Sequence, residues 1–96
     1  YKGVNLVVTV RGGKAWLKVW VDGAVDPQLG SAGRVVGDGK AYTFTATESI
    51  EIRSGNPDVT YYTLNGTDLG NLGGSARPTT WLFRPPDPPV KTNRAR

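Results

Sequence analysis

The sequence predicts an all-β fold, a small antiparallel, immunoglobulin-like β-sandwich of about seven or eight short strands. Three observations lead there. Strand-type residues recur in short runs that alternate apolar and polar. The runs are separated by Gly, Asp, Asn and Pro, residues that supply the backbone angles and local hydrogen bonds of turns. The period of an amphipathic helix is missing throughout.

The first run, residues 4–11, places Val4, Leu6, Val8 and Val10 on one face, because side chains alternate across a strand. Gly12 and Gly13 then read as a tight connection, so residues 4–11 and 15–22 are expected to pair as a hairpin. In the second run Leu17, Val19 and Val21 share a face, while Trp16, Lys18, Trp20 and Asp22 point the other way. Asp22-Gly23 is a turn signal, and the glycine-rich stretch 26–39 reads as loop with short edge strands.

The run 40–47 sets Tyr42, Phe44 and Ala46 on one side, and 50–53 turns Ile50 and Ile52 inward. Ser54-Gly55-Asn56-Pro57 is a dense turn cluster. In the next run, 59–64, Tyr61 and Tyr62 are consecutive, so a regular strand sends one to each face; Val59 argues for Tyr61 inward and Leu64 for Tyr62, a conflict that a bulge would resolve. Asn65-Gly66 is the strongest hairpin signal in the chain, and Leu69 and Leu72 are expected to cover one end of the core. A last strand, 79–84, carries Trp81 and Phe83 before a run of prolines that can neither pair in a sheet nor form helix. The sandwich is therefore assigned to residues 1–84, and 85–96 to a proline-rich basic tail, expected to be disordered or an extended arm.

A chain of 96 residues can hold one apolar core without disulfides or metal. It contains neither cysteine nor histidine, which removes thiolate metal sites, the imidazole general base and the Ser-His-Asp and Cys-His arrangements. No catalytic residue, metal site or cofactor is expected. Asp22, Asp26, Asp38, Asp58 and Asp68, with Glu48 and Glu51, sit mostly in turns, and their spacing suggests no facing acid/base pair. The net charge of +4 hints at a polyanion, but residues 84–96 hold four basic groups against one acidic, leaving the body nearly neutral; nucleic acid is not an expected partner. No apolar run approaches the ~18 residues of a membrane helix. The start at Tyr1 and the lack of methionine lead us to read the chain as part of a longer protein.

Four blocks carry a resemblance. They are Trp16-Leu17-Lys18-Val19-Trp20-Val21-Asp22-Gly23; Tyr42-Thr43-Phe44-Thr45-Ala46; Ser49-Ile50-Glu51-Ile52-Arg53-Ser54-Gly55-Asn56-Pro57; and Leu64-Asn65-Gly66 with Leu69-Gly70-Asn71-Leu72-Gly73. In this order and spacing they resemble the C-terminal domain of RodZ-type bacterial cell-shape proteins over residues 4–84. The resemblance implies a parent with a cytoplasmic helix-turn-helix domain, an upstream membrane anchor in a single transmembrane helix, and this sandwich on the extracytoplasmic side of the bacterial plasma membrane. Its implied partners are cell-wall synthesis or elongation proteins, with peptidoglycan as a further candidate. The sequence departs from the family's pattern between Gly23 and Gly39, where the family has a tighter hairpin.

Trp16, Lys18 and Trp20 are the candidate contact residues for a partner or a glycan, since two rings on one strand face can form a stacking platform. Exposed, coplanar rings would favour a carbohydrate-binding module. Buried rings beside another exposed apolar patch would favour protein docking.

Overall fold

Alternation translates directly into burial. In β1 (Val4–Val10) the four expected apolar residues are buried and the three between them half-buried, so one face of the strand drives the packing. The computed structural model describes residues 3–71, 78–85 and 87–92. Its further strands are β2 (Ala15–Val21), β3 (Ala24–Val25), β4 (Arg34–Val36), β5 (Ala41–Ala46), β6 (Ile50–Ser54), β7 (Thr60–Leu64), β8 (Thr67–Gly70), β9 (Thr79–Phe83) and β10 (Val90–Thr92).

The strands form two antiparallel sheets, as expected of a small β-sandwich. One has the order β5-β1-β7-β8; the other runs β10-β9-β6-β2-β3, with β4 also pairing β2. Both sheets contribute to one core, including Leu6, Val8, Val10 and Phe44 from the first and Leu17, Val19, Ile52 and Phe83 from the second. Each such side chain contributes on the order of 1.5–3 kcal/mol by leaving water.

The expected β1–β2 hairpin does not form. β1 pairs β5 and β7, whereas β2 pairs β3, β4 and β6, so Gly12 and Gly13 carry the chain from one sheet to the other. Two glycines allow a sheet-to-sheet crossing as readily as a tight hairpin, and the burial of opposite apolar faces decides between them. β5 and β6 cross in the same way, and the two crossing pairs are neighbours in both sheets. This is the interlock that strands B, C, E and F make in an immunoglobulin sandwich. β7 then takes the far side of β1, and β9 the far side of β6.

Two turns come out as their sequences require. Asp22-Gly23 joins β2 to β3 with φ of +50° and +86°, and Asn65-Gly66 joins β7 to β8 with +48° and +84°. Positive φ at both central residues defines the type I′ hairpin. The tyrosine conflict is settled by a 3-10 turn, Pro57–Val59, which takes Val59 out of the strand; Thr60 and Tyr62 then face inward and Tyr61 outward. The bulge-like irregularity in β7, between Tyr62 and Thr63, concerns its pairing with β8.

Two further differences follow from tertiary packing. Leu29, in the stretch read as loop, is 1% exposed and part of the core. Leu69 packs against the core as expected, while Leu72 lies outside the described residues. The tail is not wholly without order: Val90–Thr92 pairs antiparallel with β9, and the Thr92 hydroxyl donates to Glu51 Oε2 at 2.8 Å. Prolines 88 and 89 precede that strand and do not interrupt it, and a three-residue edge strand needs few donors.

The crossing from β6 to β7 is closed by a polar knot. The Asn56 N–H donates to Ser54 Oγ (3.2 Å), and Thr60 Oγ1 donates to the Asn56 carbonyl (3.0 Å). With that proton used, the bond between Ser54 Oγ and Thr60 Oγ1 (2.8 Å) has Ser54 as donor. Both hydroxyls are fully buried, and each is thereby satisfied.

Candidate docking face

The strand pairings lay out the outer face of the larger sheet row by row. Trp16 stands opposite Val35 of β4. Lys18 is followed across the sheet by Arg53, Thr80 and Thr92. Trp20 lies between Val25 and Glu51, with Leu82 and Val90 beyond. All three candidate residues therefore share this face, as alternation requires.

They do not form a free aromatic platform. Trp20 is 4% and Lys18 9% exposed, and the Lys18 ammonium stands 5.2 Å from the centre of the Trp20 ring. A lysine stem lying along an indole covers apolar surface while its charge meets the ring's negative face. Trp16 is half-buried and rests on Gly33: a Cβ there would come within 2.5 Å of Trp16 Cζ2 and 2.7 Å of its Nε1. Gly33 also has φ of +80°, so its lack of a side chain serves both the turn and the indole's seat. Gly55 flanks the same residue: a Cβ there would lie 3.4 Å from Trp16 Cβ.

The rest of the face is tied together by side chains. Arg53 donates to Thr80 Oγ1 at 3.2 Å, and Glu51 accepts from Thr92. Val35 and Val90 are the exposed large hydrophobic residues among the described ones, and each stands on this face in a strand toward one of its edges. The third tryptophan, Trp81, lies on the inner side, partly buried against the core, with the Lys91 ammonium 5.7 Å from its ring.

Sequence reading missed the seat that Gly33 makes for Trp16 and the outward pairing of Tyr61 with Arg11, whose guanidinium is 4.7 Å from the ring. The first is invisible because a glycine's neighbour comes from a distant strand. The second could have been found had Tyr61 been fixed as outward. Among the described residues no group of three His, Cys, Asp or Glu side chains is placed to hold a metal ion. The surface offers packing and hydrogen bonding, with apolar side chains at its rim and charges in its middle. Compared with protein-family models, with curated proteins and with solved structures, the chain matches none.

Proposed function

We infer that this chain is a non-enzymatic extracytoplasmic interaction domain of a single-pass membrane protein of the RodZ type, linking the cell-shape cytoskeleton to cell-wall elongation by docking onto wall-synthesis or elongation proteins. The observation that supports it is where the resembling blocks fall. Asp22-Gly23 makes the β2–β3 turn, Gly55-Asn56-Pro57 makes the β6–β7 crossing, and Asn65-Gly66 makes the β7–β8 turn. Each joint needs left-handed backbone or a side-chain hydrogen bond that few other residues supply, so the shared blocks are those that specify the sandwich.

Protein docking is favoured over glycan recognition by the burial of Trp20, which leaves that ring no free face for a sugar. The test is a chimera in which this chain replaces the outer domain of a RodZ-type protein, expressed in rod-shaped cells lacking their own copy. Recovery of rod shape beyond that given by a parent truncated before the domain is expected. A folded, correctly exported chimera that performs no better than the truncation would overturn the reading. Titration with soluble wall fragments to about 1 mM is expected to leave tryptophan fluorescence unchanged, and a saturable change would transfer the assignment to carbohydrate binding.

A further inference from the structure

Sheet edges expose backbone donors and acceptors, and proteins blunt them with short strands, charges, proline or bulges. Among the described residues, four edge strands are blunted. β3 has two residues. β4 has three and carries Arg34. β10 has three, carries Lys91 and follows two prolines. β8 carries Asp68 and an irregular register with β7.

β5 is different. It is six residues long, Ala-Tyr-Thr-Phe-Thr-Ala, with no charge and no proline, and its register with β1 is unbroken. The Val10 N–H donates to the Lys40 carbonyl, which fixes the parity of the ladder: Tyr42, Phe44 and Ala46 bond to β1, and Ala41, Thr43 and Thr45 turn their backbone groups away from it. The Gln28 side-chain amide, 3.0 Å from the Thr43 carbonyl, meets one of these outward groups.

We propose that the β5 edge is a self-association site, in which two copies of this chain pair β5 antiparallel about a two-fold axis at Thr43 and extend the four-stranded sheet across both molecules. The occupant follows from the strand's symmetry. With Thr43 opposite the partner's Thr43, Ala41 meets the partner's Thr45 and Thr45 the partner's Ala41, so every outward N–H and C=O faces its complement. On the outer face only threonine and alanine side chains meet, on the inner face Tyr42 meets the partner's Phe44, and no like-charge pair of the kind that specifies against a wrong neighbour arises. Gln28 must swing off the Thr43 carbonyl, and so acts as a gate on the edge. This proposal does not depend on the RodZ reading.

Sedimentation equilibrium of the 96-residue chain from about 10 μM to about 1 mM should show a monomer–dimer equilibrium, with amide exchange at Ala41, Thr43 and Thr45 slowing as concentration rises. Gln28→Ala should tighten it roughly threefold by freeing the carbonyl. Thr43→Lys and Thr43→Glu place like charges opposite each other and should each weaken it about tenfold, while an equimolar mixture of the two restores a heterodimer. Thr43 is exposed, and unchanged thermal midpoints will establish that both variants fold. Wild type and Gln28→Ala remaining monomeric throughout would overturn the proposal, as would a dimer indifferent to charge at position 43.

Discussion

The outer faces of the two sheets follow different rules. On the four-stranded sheet the outward residues are mostly small and β-branched, among them Val7, Thr9, Thr43, Thr45 and Thr63, and β1 keeps strict alternation between buried and half-buried. On the larger sheet β2 breaks alternation: Lys18 and Trp20 point outward and are nevertheless buried. Period two identifies which face a residue occupies and says nothing about how far that face is covered. The large aromatic and charged side chains are concentrated where the second question matters, so the outer surface of the larger sheet behaves partly as core.

The sharpest way to break this contrast is to truncate outward residues on each side. Trp20→Ala should cost about 3–5 kcal/mol, the range for deleting a buried aromatic. Thr45→Ala, outward and exposed on the other sheet, should stay within about 0.5 kcal/mol. Urea unfolding of both variants is the measurement. Equal costs would mean that the two faces are energetically alike and that the cover over Trp20 contributes nothing.

Gly33→Ala probes the cover from above. The new methyl meets the Trp16 indole and the backbone sits at φ of +80°, so the variant should lose about 2 kcal/mol. Its tryptophan emission should shift to the red as Trp16 is displaced into water. A stable variant with unshifted emission would show that the indole has room to adapt in place.

The difference between the faces also marks how far the sequence could be read. The positions of β1, β2, β5, β6, β7 and β9, the inward sets on β1, β5 and β6, and the turns at Asp22-Gly23 and Asn65-Gly66 were legible, because each depends on residues within a few positions of one another, whereas β10 lies in the stretch read as tail. The pairing of β1 was not, since Gly12-Gly13 permits both a hairpin and a crossing, and the choice is made by β5 and β7 many residues later. Leu29 was overlooked because a single leucine among glycines has no periodicity to join. For the candidate face, sequence put Trp16, Lys18 and Trp20 on one side of the strand but could not see the seat that Gly33 makes for Trp16 or the Lys18 ammonium over the Trp20 ring.

Tyr62 tests the inner side of the smaller sheet. Its ring packs 5.3 Å from that of Phe83, and its hydroxyl is buried with no hydrogen-bond partner among the described residues. Burial pushes the phenol's ionisation far above its usual range. Tyr62→Phe should therefore be neutral or raise stability, by up to about 1 kcal/mol, since it removes an unsatisfied polar group without opening a cavity. A loss of stability in urea unfolding would reveal that the hydroxyl has a partner.

The smallest effect separates the two type I′ turns, one on each sheet, which solve the same problem with different chemistry. Asp22 accepts the N–H groups of Thr47, Glu48 and Ser49 at 2.8 to 3.0 Å, stapling the β2–β3 turn to the β5–β6 crossing. Asn65 accepts from the Asn5 N–H at 2.7 Å and donates to the Gly3 carbonyl, stapling its own turn to β1 without charge. Those three donors, Thr47 foremost, hold the Asp22 carboxyl below its ordinary value of 3.8, so its contribution is present above about pH 4 and fades as pH falls through the folded value. Asp22→Asn should abolish that part of the acid sensitivity, whereas Asn65→Ala should shift stability equally at every pH. Because Asp22 is fully exposed, the difference will be modest and is best read as the gap between the urea midpoints of wild type and Asp22→Asn, narrowing from pH 6 toward pH 2.5. A gap of constant width would mean that the staple works through shape alone and that the two turns, for all their difference in charge, are equivalent.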